Sequence, residues 1–102
     1  CLVGTMVQEA YDTHPAIRAA VDRSISAHAA KVEADIEEAM RRYSLNAGFS
    51  AASLALHTQA VLQGAFILAK TKGTAAVAAE SVDHLRRYVV LLFKHGRKGE
   101  AP

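Results

Sequence analysis

Apolar residues recur at helical spacing along most of this 102-residue chain. The sequence has no stretch of alternating apolar and polar residues, no Asn-Gly or Asp-Gly hairpin turn, and few clustered β-branched residues. Two prolines and six glycines divide the chain into four segments. This pattern predicts an all-α protein with four helices.

The first two predicted helices cover about residues 2–12 and 15–43. Pro15 suits the first turn of the second helix, with Thr13 or His14 as the residue that caps it. The second helix carries one apolar stripe, because its apolar residues follow one another at intervals of three or four. The stripe contains Ile17, Val21, Ile25, His28, Val32, Ile36, Ala39 and Tyr43.

The third and fourth predicted helices cover about residues 50–72 and 74–95. Gly73 is placed to end the third helix and Thr74 to cap the fourth. The expected core stripe of the third helix contains Leu54, Val61, Ala65 and Leu68. That of the fourth contains Ala78, Val82, Leu85, Val89 and Leu92, with an Asp83–Arg87 pair on the far side.

The third helix contains "AVLQGAFILAK", which is apolar on more than one side. A chain of this size has a modest core, so this surplus needs a cover that the chain itself does not supply. Gly64 leaves a gap where another helix can approach closely, at a cost in helix propensity of about 1 kcal/mol against Ala.

We therefore expect an antiparallel four-helix bundle fragment whose last two helices pair with a second copy, giving a twofold intermolecular four-helix bundle. Gln59 is either exposed or hydrogen-bonded across this dimer, and Gln63 is assigned to the dimer. The predicted interface consists of Leu56, Ala60, Gln63, Gly64, Ile67, Val90 and Leu91.

Composition narrows the class of protein. Apolar residues make up 51% of the chain and charged residues 22%, and the net charge of +2 does not by itself argue for nucleic acid.

No apolar run approaches the ~20 residues of a membrane span, and the first residues do not resemble a secretion signal. With Cys1 as the single cysteine, a reducing cytoplasm is expected. The apolar start without Met suggests a fragment of a longer protein.

Three stretches in this order resemble a known family. "LVGTMVQEAYDTHPAIRAAVDR", "LALHTQAVLQGAFILAKTKG" and "HLRRYVVLL" resemble the C-terminal domain of tetracycline-repressor (TetR) family transcriptional regulators. The resemblance extends from Cys1 to about Phe93. It implies an N-terminal helix-turn-helix that binds operator DNA, and a helical C-terminal domain that dimerises and holds a small effector.

This chain departs from the whole-family pattern because no helix-turn-helix with a basic recognition helix is present in it. We therefore expect a single regulatory domain over residues 1–95, followed by a disordered tail at 96–102. Operator DNA would be bound only through the absent N-terminal domain. The effector implied by the resemblance would be small and apolar or aromatic.

Several side chains are candidates for effector contacts. His28 and His57 are either histidines satisfied by neighbouring groups in the core or polar contacts in the pocket. Flexible and aromatic side chains suit apolar ligands, although such residues are more often simply core. The predicted effector-binding residues are Met6, Tyr11, His28, Val32, His57 and Phe66.

An enzyme is disfavoured by the same sequence. It has no nucleophile elbow, no phosphate-binding loop, and no histidine pair spaced for a metal site, so no cofactor, catalytic residue or metal ligand is expected. The alternative to an effector-binding domain is a helical module whose sole task is homodimerisation.

Overall fold

The computed structural model describes residues 2–10, 12–43, 45 and 48–95, with the side chain of residue 95 excepted. Four helices hold 88% of these residues, and no strand forms among them. The helices are α1 (Leu2–Ala10), α2 (Pro15–Arg42), α3 (Ala51–Lys72) and α4 (Ala76–His95). The predicted all-α class is confirmed. The predicted tail at 96–102 lies outside the described residues.

The helix ends follow from local sequence. Pro15 occupies the first turn of α2, and His14 precedes it without a side-chain capping bond. The Ser50 hydroxyl oxygen accepts a hydrogen bond from the Ser53 backbone N–H at 3.1 Å, which satisfies one free donor of the first turn of α3. Thr74 does the same for the Ala76 N–H at 3.2 Å.

Gly73 ends α3 as predicted. Its φ of 67° lies in the left-handed region, which glycine enters without the steric penalty of a Cβ. The following backbone N–H, on Thr74, donates to the Ala69 carbonyl at 3.2 Å. The chain thus reverses within a few residues and brings α4 back along α3.

The helices pack mainly in chain order: α1 on α2, α2 on α3, and α3 on α4. The molecule measures 50 × 31 × 17 Å. With the helices packed mainly on their neighbours in chain order, large apolar side chains remain exposed on α1, α3 and α4.

The core is correspondingly small. No large side chain among the described residues is fully buried. The buried apolar residues are Ala10, Val21, Ala29, Ala51, Leu54, Ala55 and Ala65. Five of these seven are alanines, so the helices approach one another over small side chains rather than interlocking large ones.

The α2 stripe is confirmed over most of its length, but the placement of His28 in it is wrong. His28 is exposed, and its neighbour Ala29 is buried instead. These two side chains point about 100° apart on the helix. The small Ala29 permits the close helix approach that the imidazole would block, so α2 is rotated toward it. Tyr43, at the end of the stripe, is half exposed.

Three further expectations are corrected. Leu68 and Val82 were expected in the core but are 48% and 42% exposed. On α4 the contact side is rotated toward Ser81, which leaves Val82 at its edge. The ion pair found among the described residues is Glu38–Arg42 at 3.4 Å rather than the predicted pair on α4. Both of its side chains are well exposed, so it contributes little to stability.

Candidate functional site

One side of α3 is apolar and uncovered within the chain. Leu54, Ala55 and Ala65 are buried against the other helices. Leu56 and Ile67, on the other side of α3, are 55% and 46% exposed. Ala60 is also exposed. Helical spacing places these last three residues in a single line.

Gly64 interrupts this line near its middle. A Cβ built on Gly64 would meet nothing within 4 Å. The packing of this chain therefore does not require a glycine here, although glycine in a helix interior costs about 1 kcal/mol against alanine. The opening over Gly64 is a place where the backbone of another helix can come close.

The apolar side of α3 continues onto α4. The rings of His57 and Tyr88 meet edge to face, with centroids 5.8 Å apart and planes at 69°. Leu91 follows Tyr88 by three residues and lies on the same side of α4; it is 52% exposed. We call this surface the free face, and it comprises Leu56, Ala60, Gly64, Ile67, Tyr88 and Leu91.

Val90 is exposed too, at 57%. Two residues correspond to about 200° around a helix, so Val90 points away from Tyr88. Of the two α4 residues assigned to the dimer from sequence, Leu91 thus lies on the free face and Val90 on a different side of the helix.

A groove lies between α1 and α3, beside the free face. Its volume is about 280 Å³. Its walls combine hydroxyl, amide, ammonium and aromatic groups, and no carboxylate is among the described residues that line it. We call it the α1–α3 groove; it is lined by Gly4, Thr5, Gln8, Gln63, Phe66, Ile67, Lys70 and Thr71.

Three α3 residues of the groove wall form one helical stripe, because Gln63, Phe66 and Lys70 follow one another at intervals of three and four residues. Gln59 lies one turn before Gln63 and does not line the groove. The side-chain amide nitrogen of Gln59 is buried and has no hydrogen-bond partner in the described part of the chain. Leaving such a donor unsatisfied costs about 1–3 kcal/mol.

A second concave region lies between α1 and α2. It has a volume of about 330 Å³ and an almost wholly apolar surface. We call it the α1–α2 depression; it is lined by Val3, Met6, Ala16, Ile17, Ala20, Val21 and Ser24. α1 is therefore flanked by a mixed groove on one side and an apolar depression on the other.

The groove and the depression each contain one of the predicted effector residues. Phe66 lines the α1–α3 groove and Met6 the α1–α2 depression. His28, Val32 and His57 line neither of these two regions. Tyr11 lies outside the described residues.

Other groups in the groove were not singled out from sequence. Thr5 and Gln8 come from α1, and only the packing of α1 near α3 brings them to Lys70. The spacing of Gln59, Gln63, Phe66 and Lys70 was visible in the sequence and marks the polar edge of an otherwise apolar helix. No group of three or more possible metal ligands occurs in the residues that the structure describes.

A comparison with protein families matches residues 1–85, which include α1, α2, α3 and the first half of α4. The matching family is described as "tetracyclin repressor-like, C-terminal domain". The chain belongs to this family. The resemblance noted in the sequence of this TetR-like domain is thereby confirmed. A search of curated proteins finds no match, and a search of solved structures finds none.

The third helix of this TetR-like domain also meets the length and composition of a membrane-spanning helix, with 28% of its apolar window buried. Sequence inspection had excluded a span because Gln59, Gln63 and Lys70 interrupt the apolar run. One such helix is weak evidence, since core helices of soluble proteins pass the same criterion. Any proposed function nevertheless has to state what buries the exposed apolar side chains of α3 that belong to the free face.

Proposed function

We propose that this TetR-like domain is the homodimerising, effector-binding part of a cytoplasmic transcriptional regulator. Membership of the family supports a regulatory role. The observation that carries the dimer is the free face, a set of exposed apolar side chains on α3 and α4. Operator binding is assigned to a helix-turn-helix outside this chain.

Burial of the free face against a second copy would remove its apolar side chains from water and so stabilise the dimer. Fully burying a side chain of the size of Leu or Ile contributes about 1.5–3 kcal/mol relative to leaving it in water. A twofold axis beside α3 would place Leu56 and Ile67 of both copies in one contact, so each side chain contributes twice. The gap at Gly64 lets the two α3 helices approach closely. Val90 lies on a different side of α4 and would contact the partner only at the edge of the interface.

Effector binding would act through α3. Ile67 lines the α1–α3 groove and also belongs to the free face, and Gln63, assigned to the dimer from sequence, lines the same groove. A ligand in the groove therefore touches the helix that the second copy touches. A ligand that prefers one arrangement of the paired helices shifts the dimer toward it, by its difference in affinity for the two arrangements.

The dimer is tested by light scattering and sedimentation of the chain at tens of micromolar. The expected mass is twice the 10.9 kDa of the monomer. Leu56→Asp and Ile67→Asp place a charge in the proposed contact, and both should give monomers that keep their helical circular dichroism. Leu2→Asp is the matched control, because Leu2 is 74% exposed on α1 and does not belong to the free face.

A wild-type chain that is monomeric at these concentrations would refute the dimer. Cosedimentation of the wild type, but not Leu56→Asp, with phosphatidylcholine vesicles would instead assign the free face to a membrane.

The second candidate function is homodimerisation without a ligand, favoured because Met6 and Phe66 line separate concave regions and His28, Val32 and His57 line neither. A thermal-shift screen with small apolar and aromatic compounds separates the two functions. If the chain is dimeric and no compound raises its melting temperature, the pairing module is correct and the effector proposal fails.

A further inference from the structure

We propose that the α1–α3 groove binds a small organic anion, a carboxylate attached to an aromatic body. This inference rests on the proposed effector-binding function and makes it specific in chemistry. The juxtaposition that supports it is a single groove in which an ammonium group without an ion-pair partner among the described residues, side-chain amides and an aromatic ring lie together.

Lys70 supplies the positive charge. It lies at the end of the groove stripe of α3, and no carboxylate of the described chain lies within ion-pair distance of its ammonium group. The groove itself contains no acidic side chain from the described residues. A cation without a partner, in a concave site without competing anions, favours a ligand that carries a negative charge.

The amide side chains add hydrogen-bond donors of the kind that a carboxylate accepts. Gln8, which is exposed, approaches from α1 and Gln63 from α3. Donors to an ionised acceptor form shorter and stronger hydrogen bonds than donors to a neutral one.

Phe66 and Ile67 indicate the chemistry of the rest of the ligand, which is its aromatic body. Phe66 lies between Gln63 and Lys70 on the stripe and is 43% exposed, so one part of its ring is open to the groove. An aromatic ring of the ligand can stack against it or meet its edge. A volume of about 280 Å³ is at the lower end of small-molecule sites, which indicates a compact ligand.

The test is a ¹⁵N NMR titration of the full chain with two probes, 3-phenylpropionate and its neutral carboxamide. The acid should shift backbone signals of Thr5, Gln8 and Lys70, and the amide should bind at least about tenfold more weakly, a ratio equivalent to one pairing of moderate strength. Lys70→Met should weaken binding of the acid by a similar factor. Lys72→Met is the matched control: Lys72 is exposed on the same helix, does not line the groove, and its loss should leave the affinity within twofold.

Equal binding of acid and amide, or an affinity for the acid that is unchanged in Lys70→Met, overturns the proposal. So does the absence of any shift with the acid. Shifts confined to Val3, Met6 and Ile17 would place ligands in the α1–α2 depression, which refutes the anion site and leaves effector binding intact. Failure of the proposed function has a different signature, a monomeric chain that no compound in the thermal-shift screen stabilises.

Discussion

Leu54 and Leu56 are the same residue type, two positions apart on α3, yet their surroundings are opposite. Leu54 is 5% exposed and Leu56 is 55% exposed. Two residues correspond to about 200° around a helix, so one side chain enters the core while the other points away from it. At the residue scale, burial matters more than residue type: it decides whether a side chain supports the fold or a contact with another molecule.

Leu54→Ala and Leu56→Ala should therefore separate folding from association. Leu54→Ala is expected to lower the free energy of unfolding by about 2–3 kcal/mol, because it empties buried volume. Leu56→Ala should change the unfolding of dilute monomer by less than about 0.5 kcal/mol, as is usual at exposed positions, but should weaken the dimer. Urea unfolding at low concentration, with sedimentation at high concentration, measures both effects. A large loss of monomer stability in Leu56→Ala would contradict its placement.

Gly64 allows a prediction in which stability and association respond differently. Gly64→Ala should stabilise the monomer by up to about 1 kcal/mol, since alanine is the better helix former and its Cβ meets nothing within 4 Å. Gly64→Leu should obstruct close approach of a second α3 and weaken the dimer. Chemical denaturation and light scattering of both variants provide the test. Unchanged association in Gly64→Leu would move the interface elsewhere.

The unsatisfied side-chain amide of Gln59 should lower the free energy of unfolding of the unliganded domain. Gln59→Met removes an unsatisfied buried donor and keeps a side chain of similar length, so we expect the free energy of unfolding to rise by about 1 kcal/mol. Gln8→Met, at an exposed amide on α1, is the control and should have little effect. A loss of stability in Gln59→Met would show that the amide nitrogen is satisfied in solution.

At the scale of the helix, the sequence was most informative about where each element begins and ends. Pro15, Ser50, Gly73 and Thr74 act within three or four residues of themselves, so their effects need no knowledge of the rest of the chain. The rotation of a helix about its own axis was less predictable. His28 and Ala29 point about 100° apart on α2, and the packing of α2 against its neighbours decides which of the two is buried.

Gly73→Ala tests the helix-ending role of a left-handed residue. Forcing an alanine to a φ of 67° should lower stability by about 1 kcal/mol, because the steric cost exceeds the stabilisation from the lower conformational entropy of the unfolded chain. Gly48→Ala is the matched control, because Gly48 has no positive φ and a Cβ there meets nothing. Thermal unfolding of the two variants gives the comparison. Equal losses would argue against strain at Gly73.

At the scale of the whole molecule, the pattern of helix contacts explains the exposed apolar surface better than any single residue does. α3 packs mainly on α2 and α4, and the line of Leu56, Ala60 and Ile67 stays exposed. If two copies combine through the free face, the shared bundle buries this line.

A dimer of this kind makes thermal stability depend on concentration. Mass action should raise the melting temperature by about 3 °C for each tenfold increase in protein concentration, given the unfolding enthalpy usual for a dimer of this size. Calorimetry over a hundredfold range of concentration measures the effect. The monomeric variant Ile67→Asp should show no such dependence, and a wild type that shows none would refute obligate pairing.

The sequence by itself determined the four helices, their ends, the family and the surplus of apolar surface on α3 and α4. These properties are local or additive: 3.6-residue periodicity, capping and residue counts can be evaluated without coordinates. The tertiary structure decided which side of each helix is covered, that Ala29 replaces His28 in the core, and that α1 meets α3 to form a groove beside Lys70. Those outcomes depend on contacts between distant segments, where a rotation of one helix by a single residue changes every neighbour it has.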